Sequence, residues 1–113
     1  MPRRKEKTEL LRGTLDMLIL RTLSLEPLHG VSVAERIKQT TGGAFDVPAG
    51  SLFPALHRLE VKGWIAGEWG VNEQGKRVKS YELTPKGRRQ LSDEKRQWNR
   101  IVAAVAQVFQ ASN

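Results

Sequence analysis

The last quarter of this chain constrains it most. Thr84-Pro85 is a strong helix start, a hydroxyl cap followed by proline at the first helical position, and nothing breaks the helical pattern until about Gln110. Within that run Leu91, Trp98, Ile101 or Val102, Val105, and Val108 or Phe109 return at spacings of three, four and seven, which puts them in one stripe. Roughly 25 helical residues reach about 38 Å at about 1.5 Å each, longer than a domain of this size can cover. An apolar stripe left overhanging marks an interface, and pairing with a second copy about a two-fold axis buries it. We therefore expect a homodimer that uses Leu91, Trp98, Ile101, Val102, Val105 and Phe109.

The rest of the chain is cut into short pieces. Leu15, Leu18, Ile19 and Leu23 predict a first helix from Arg12 to Ser24, with Gly13 or Thr14 near its start. Pro27 and Gly30 punctuate the chain after it, with His29 as a turn residue. Val33, Ala34 and Ile37 predict a second helix, closed by Gly42-Gly43. After an extended stretch from Phe45 to Pro48, Leu52, Ala55 or Leu56, and Leu59 predict a third helix from about Gly50 to Lys62, stopped by Gly63. With Ser51 as its cap, Pro54 falls in the first turn, where no intrahelical donor is lost. Ile65, Trp69 and Val71, then Asn72-Glu73-Gln74-Gly75, then Val78, Tyr81 and Leu83 predict a hairpin with a charged tip. Trp64 and Trp69 are expected to pack where the helix meets the hairpin.

Three short helices, a hairpin and a long helix spell a winged helix: mainly α within the α+β class, with a three-helix helix-turn-helix core, a two-stranded β wing and a long C-terminal helix. Residues 1–84 form the winged-helix region and 85–113 the dimerisation helix of one compact domain.

Nineteen Lys and Arg against twelve Asp and Glu leave a net charge of +7 in 113 residues, which favours polyanionic partners. The surplus sits in residues 1–13, 57–80 and 86–100, whereas 14–56 is slightly acidic. The chain has no cysteine, so disulfides, thiolate metal sites and cysteine nucleophiles are excluded. Its two histidines, His29 and His57, have no metal-ligand spacing, and there is no glycine-rich phosphate loop or nucleophile elbow. We expect no enzyme activity, metal or cofactor. No apolar run approaches the roughly 20 residues of a membrane span, and the basic N-terminus leads into no signal sequence. The expected location is cytoplasmic, away from membranes, since the last helix's stripe is better used by a partner helix than by a lipid surface.

In a winged helix the third helix enters the major groove of double-stranded DNA, where each base pair shows a distinct pattern of donors and acceptors. The candidates for that contact are Ser51, Pro54, His57 and Arg58, on the face left free by the apolar stripe. Lys76, Arg77 and Lys79 beside Gly75 suit phosphate or minor-groove contacts at the wing. The competing reading of these three is an exposed strand edge protected from aggregation by charge. A second role for the whole fold is a protein-interaction module that does not read DNA.

The stretches Leu11-Arg12-Gly13-Thr14-Leu15-Asp16-Met17-Leu18-Ile19-Leu20, Leu28-His29-Gly30, Gly50-Ser51-Leu52-Phe53-Pro54-Ala55-Leu56-His57-Arg58-Leu59-Glu60 and Tyr81-Glu82-Leu83-Thr84-Pro85-Lys86-Gly87 resemble the PadR-like transcriptional regulators. The resemblance runs through nearly the whole chain, in the expected order. It implies a winged helix whose C-terminal helix exchanges contacts with a partner chain, in the short subgroup with one such helix. It also implies a dimer that usually represses transcription at a near-palindromic operator. In short members an aromatic in the last helix can line a cavity between protomers that receives a flat hydrophobic or aromatic effector, and Trp98 is the matching residue. Its other reading is packing within the dimer core. Phe53 and Ser80 depart from the family pattern, which commonly has tyrosine and an aromatic at those positions.

Overall fold

The structure is a computed structural model that describes residues 12–112. The basic stretch before Arg12 lies outside the described residues. In chain order the elements are α1 (Arg12–Leu25), β1 (Leu28–His29), α2 (Gly30–Thr40), α3 (Ala49–Val61), β2 (Ile65–Val71), β3 (Arg77–Leu83) and α4 (Pro85–Gln110). The strands form one antiparallel sheet in the order β1-β3-β2. The sheet therefore has three strands where the sequence predicts two. β1 pairs Leu28 with Tyr81 and His29 with Ser80, so His29 belongs to a strand. A two-residue strand carries no periodicity, and what stabilises it is a partner more than fifty residues away.

α1 lies at the centre. Leu15, Ile19, Leu20 and Leu23 are buried, and the helix packs on α2, α3, α4 and β3 at once. The buried Thr22 hydroxyl donates to the Leu18 carbonyl at 2.7 Å, so its burial leaves no donor unsatisfied. Val33 and Ile37 from α2, Leu52, Ala55, Leu56 and Leu59 from α3, and Ile65, Tyr81 and Leu83 from the sheet complete one core.

α3 starts at Ala49, within one residue of the expected Gly50, but Ser51 is not its cap. Pro48 is its N-cap in extended backbone, and the Pro48 carbonyl accepts from the amides of Ser51 and Leu52 at 2.9 Å each. Ser51 is thus a helical residue rather than the cap, and Pro54 sits inside the helix beyond its first turn. The residue four before the proline is Gly50, exposed and with open space where a Cβ would be. The carbonyl that loses its partner is therefore in reach of solvent, and the helix runs through. Its end is as expected. Gly63 takes φ +78°, its amide donates to Glu60, and the Trp64 amide donates to Leu59, a Schellman closure that turns the chain into β2.

Thr84 caps α4 as its sequence predicts. Its hydroxyl accepts from the Gly87 amide at 3.0 Å and donates to the Gly63 carbonyl at 2.7 Å, tying the helix start to the end of α3. Gly87 is buried against Trp64, at the turn between α3 and β2, and against Leu83 of β3, and a Cβ there would overlap the Trp64 carbonyl. Leu91 packs on the core, α4 then runs alongside the start of α1 as far as Trp98 and Ile101, and its last turns are exposed. The molecule measures 62 × 39 × 21 Å, with a radius of gyration of 16.1 Å against about 13 Å for a compact chain of about 100 residues.

Candidate nucleic-acid interface

The face of α3 opposite its buried stripe carries Ser51, Phe53, Pro54 and His57, all exposed. Nothing in the described chain covers them. The wing stands beside this face. Its tip is a closed turn: the Asn72 side-chain oxygen accepts from the amides of Gln74 and Lys76 at 3.0 and 2.9 Å, and Gly75 takes φ +80°. Lys76 and Arg77 project from that tip, exposed.

The other two cations named by the sequence are engaged inside the chain. Arg58 turns toward α1, where its Nη2 donates to Asp16 Oδ1 at 2.5 Å, and its buried Nε has no acceptor among the described residues. Asp16 is itself only 7% exposed. Lys79 donates from Nζ to Glu60 Oε1 at 2.9 Å, joining β3 to the end of α3. That hydrogen bond is the main cause holding the Lys79 ammonium above its ordinary value of 10.5, so it stays charged at neutral pH. The pattern of charges in the sequence shows neither partner: Asp16 is 42 residues from Arg58, and Glu60 is 19 from Lys79.

Trp64 packs on the core as expected, with Lys62 Nζ 4.7 Å from its ring centre. Trp69 does not. It lies five residues further along the chain, in β2 and past the end of α3, and is 54% exposed, with the Arg77 guanidinium 4.4 Å from its ring centre. Its register opposite Lys79 follows from counting back through the Asn72–Gly75 turn, a signal present in the sequence. Between the wing and the start of α2 lies an open cleft of about 580 Å³, with Phe53, Trp69 and Tyr81 as its aromatic walls. Ser80 pairs with His29 on one side and Glu68 on the other, in the middle of the sheet.

On α4 the stripe is uncovered. Trp98, Ile101, Val102, Val105 and Phe109 are between 41% and 85% exposed, whereas Leu91 is half-buried against its own core. Trp98 also lines a groove of about 330 Å³ with Gly13, Thr14 and Met17 of α1. Among the described residues no three acidic or histidine side chains gather to hold a metal ion, and no helix is long and apolar enough to cross a membrane.

The sequence pattern of the transcriptional regulator PadR-like family matches residues 19–93. The chain belongs to the PadR-like family. Its relatives include an uncharacterised protein of Lysinibacillus sphaericus, 30% identical over 95 residues, which cover 84% of this chain and 87% of that one. A transcriptional regulator of Mycobacterium tuberculosis is 28% identical over 97 residues, covering 86% of this chain and 87% of its own. Among solved structures, a PadR family transcriptional regulator from Eggerthella lenta is 31% identical with a TM-score of 0.78, over 89% of this chain and 86% of that one. A PadR-like regulator from Bacillus cereus is 29% identical with a TM-score of 0.77, over 90% and 97%. This PadR-like chain is a transcriptional regulator of the winged-helix class and not an enzyme.

Proposed function

We propose that the chain acts in the cytoplasm as a repressor, binding a near-palindromic operator as a two-fold homodimer formed through α4. The observation that carries this reading is the shared exposure of Ser51, Pro54 and His57 on α3 beside Lys76 and Arg77 on the wing. A helix face of that width fits a major groove, and a cationic loop next to it fits the flanking phosphates. Arg58 and Lys79 act from behind the surface, setting α3 against α1 and against the wing. The uncovered stripe of α4 supplies the dimer, which places two copies of α3 in successive major grooves roughly 34 Å apart. The groove beside Trp98 supports release by a small hydrophobic or aromatic effector, because a ligand held between α1 and α4 favours one setting of these helices over another.

The test is a fluorescence-anisotropy titration of a duplex from upstream of the protein's own gene against an unrelated duplex, at two salt concentrations. The expected result is a preference of about a hundredfold or more that persists at the higher salt. Absence of binding even at low salt refutes the DNA reading and favours a winged-helix protein-interaction module. Reversing the charges of Lys76 and Arg77 then separates the two roles, since only a DNA contact flattens the salt dependence.

A further inference from the structure

A line of four side chains runs from α3 to the wing tip on one face of the β2-β3 hairpin. Glu60 on α3 holds the Lys79 ammonium. That ammonium lies 5.7 Å from the Trp69 ring centre and 5.4 Å from that of Tyr81. The same Trp69 ring carries Arg77 at 4.4 Å. The register explains the geometry: Trp69 stands directly opposite Lys79, and Arg77 opposes Val71, two residues toward the tip on the same face. Gly67, the preceding residue on that face, is small for a reason. A Cβ there would stand 2.5 Å from Lys79 Cε and 3.0 Å from Glu60 Oε2, so a side chain would block the lysine from crossing to the helix.

We infer that Trp69 is the positioning residue for the wing's contact with DNA, holding the Arg77 guanidinium at a fixed place relative to α3. The inference rests on the DNA-binding reading above and adds which residue sets the wing arginine. A tryptophan buried in a core would need no further role, but this one is exposed and its ring neighbours are cations. A guanidinium stacked on an aromatic face keeps its N–H groups free at the edge, so the stack directs Arg77 without consuming its donors. An unsupported arginine has to be immobilised on binding, whereas a stacked one is ordered beforehand. Lys79, tied to Glu60, keeps the ring in register with α3. Helix and wing therefore meet the duplex as one unit.

The gain is bounded by the strength of the stack at an exposed site, about two- to fivefold in affinity per wing. With both wings of a dimer engaged this becomes about five- to thirtyfold. The experiment compares the parent, Trp69→Leu, Trp69→Phe, Arg77→Ala and the Trp69→Leu/Arg77→Ala pair, titrated into the upstream duplex at four salt concentrations. Trp69→Leu is expected to weaken binding by that factor at every salt with the parent's slope, because the phosphate partner is still present. Trp69→Phe recovers most of the loss. Arg77→Ala flattens the slope, and adding Trp69→Leu to it changes little more. Trp69→Leu should match the parent in melting temperature and sedimentation, since the ring supports no core.

Equal losses from Trp69→Leu with and without Arg77, or no loss at all, overturn the inference while leaving the DNA reading intact. A parent protein that binds no duplex at any salt overturns both.

Discussion

Removing the guanidinium of Arg58 strands a carboxylate. Asp16 is 7% exposed on a helix packed from several sides, and Arg58 Nη2 at 2.5 Å is its one side-chain partner among the described residues. Breaking a buried pair from one side costs about 3–5 kcal/mol in general. Here the arginine side chain is partly open to water, which relieves some of the penalty, so Arg58→Met should cost about 2–3 kcal/mol. Methionine keeps the aliphatic packing and removes only the charge. With a urea m-value of about 1–3 kcal/mol per molar for a small protein, the midpoint falls by roughly 0.7–3 M. The measurement is equilibrium unfolding at fixed protomer concentration, because the proposed pairing through α4 would make stability concentration-dependent. The paired variant Asp16→Leu/Arg58→Met, which removes both charges and fills their space, should return to within about 1 kcal/mol of the parent. A midpoint shift below about 0.3 M for Arg58→Met, or a paired variant as unstable as the two single losses added together, refutes the idea that this pair ties α3 to α1.

Three further outcomes follow from the packing of α4. Gly87→Ala should destabilise by at least about 2 kcal/mol and lower the melting temperature by several degrees, since the new methyl overlaps backbone that cannot give way; a neutral effect in thermal melts would mean that α4 does not seat on the Trp64 backbone as described. Thr84→Val keeps the shape but loses both hydroxyl hydrogen bonds, and denaturant unfolding should show a loss of about 1–2 kcal/mol. Val105→Asp places a charge in the middle of the uncovered stripe and should give a monomer in sedimentation velocity; a variant that still sediments as a dimer rules out α4 as the pairing surface.

What the sequence revealed was local. The Thr84 cap, the proline after it and the stripe on α4 are read within a few turns of one helix, and all three appear where expected. The closure at Gly63 and the turn at Gly75 are equally local, since each needs a backbone that glycine adopts freely. The cap of α3 is harder to read, because placing Pro54 in the first turn points to Ser51, whereas Gly50 lets the helix absorb the proline further in and Pro48 is the cap. β1 was invisible because its only support is β3. The candidate site divides the same way. That Arg58 and Lys79 are cations is written in the chain, but that one faces Asp16 and the other Glu60 is decided by tertiary packing. Trp69 does not pack where helix meets hairpin as Trp64 does, and its register already places it beside charged neighbours.

The pairing of β1 has a mechanical consequence. Ser80 and Tyr81 are held on both sides, by β1 and by β2, whereas the residues from Lys79 to the tip are held on one. The hairpin is therefore a cantilever clamped near Ser80, with a free arm of about four residues, or about 13 Å at about 3.3 Å per residue. An arm that short, braced by the Glu60–Lys79 pair at its root, is stiff. In a complex with DNA the compliance then has to come from the duplex, whose bending energy depends on base steps the protein never touches. Operators of this protein should differ in strength by how readily they deform as well as by what they present to α3.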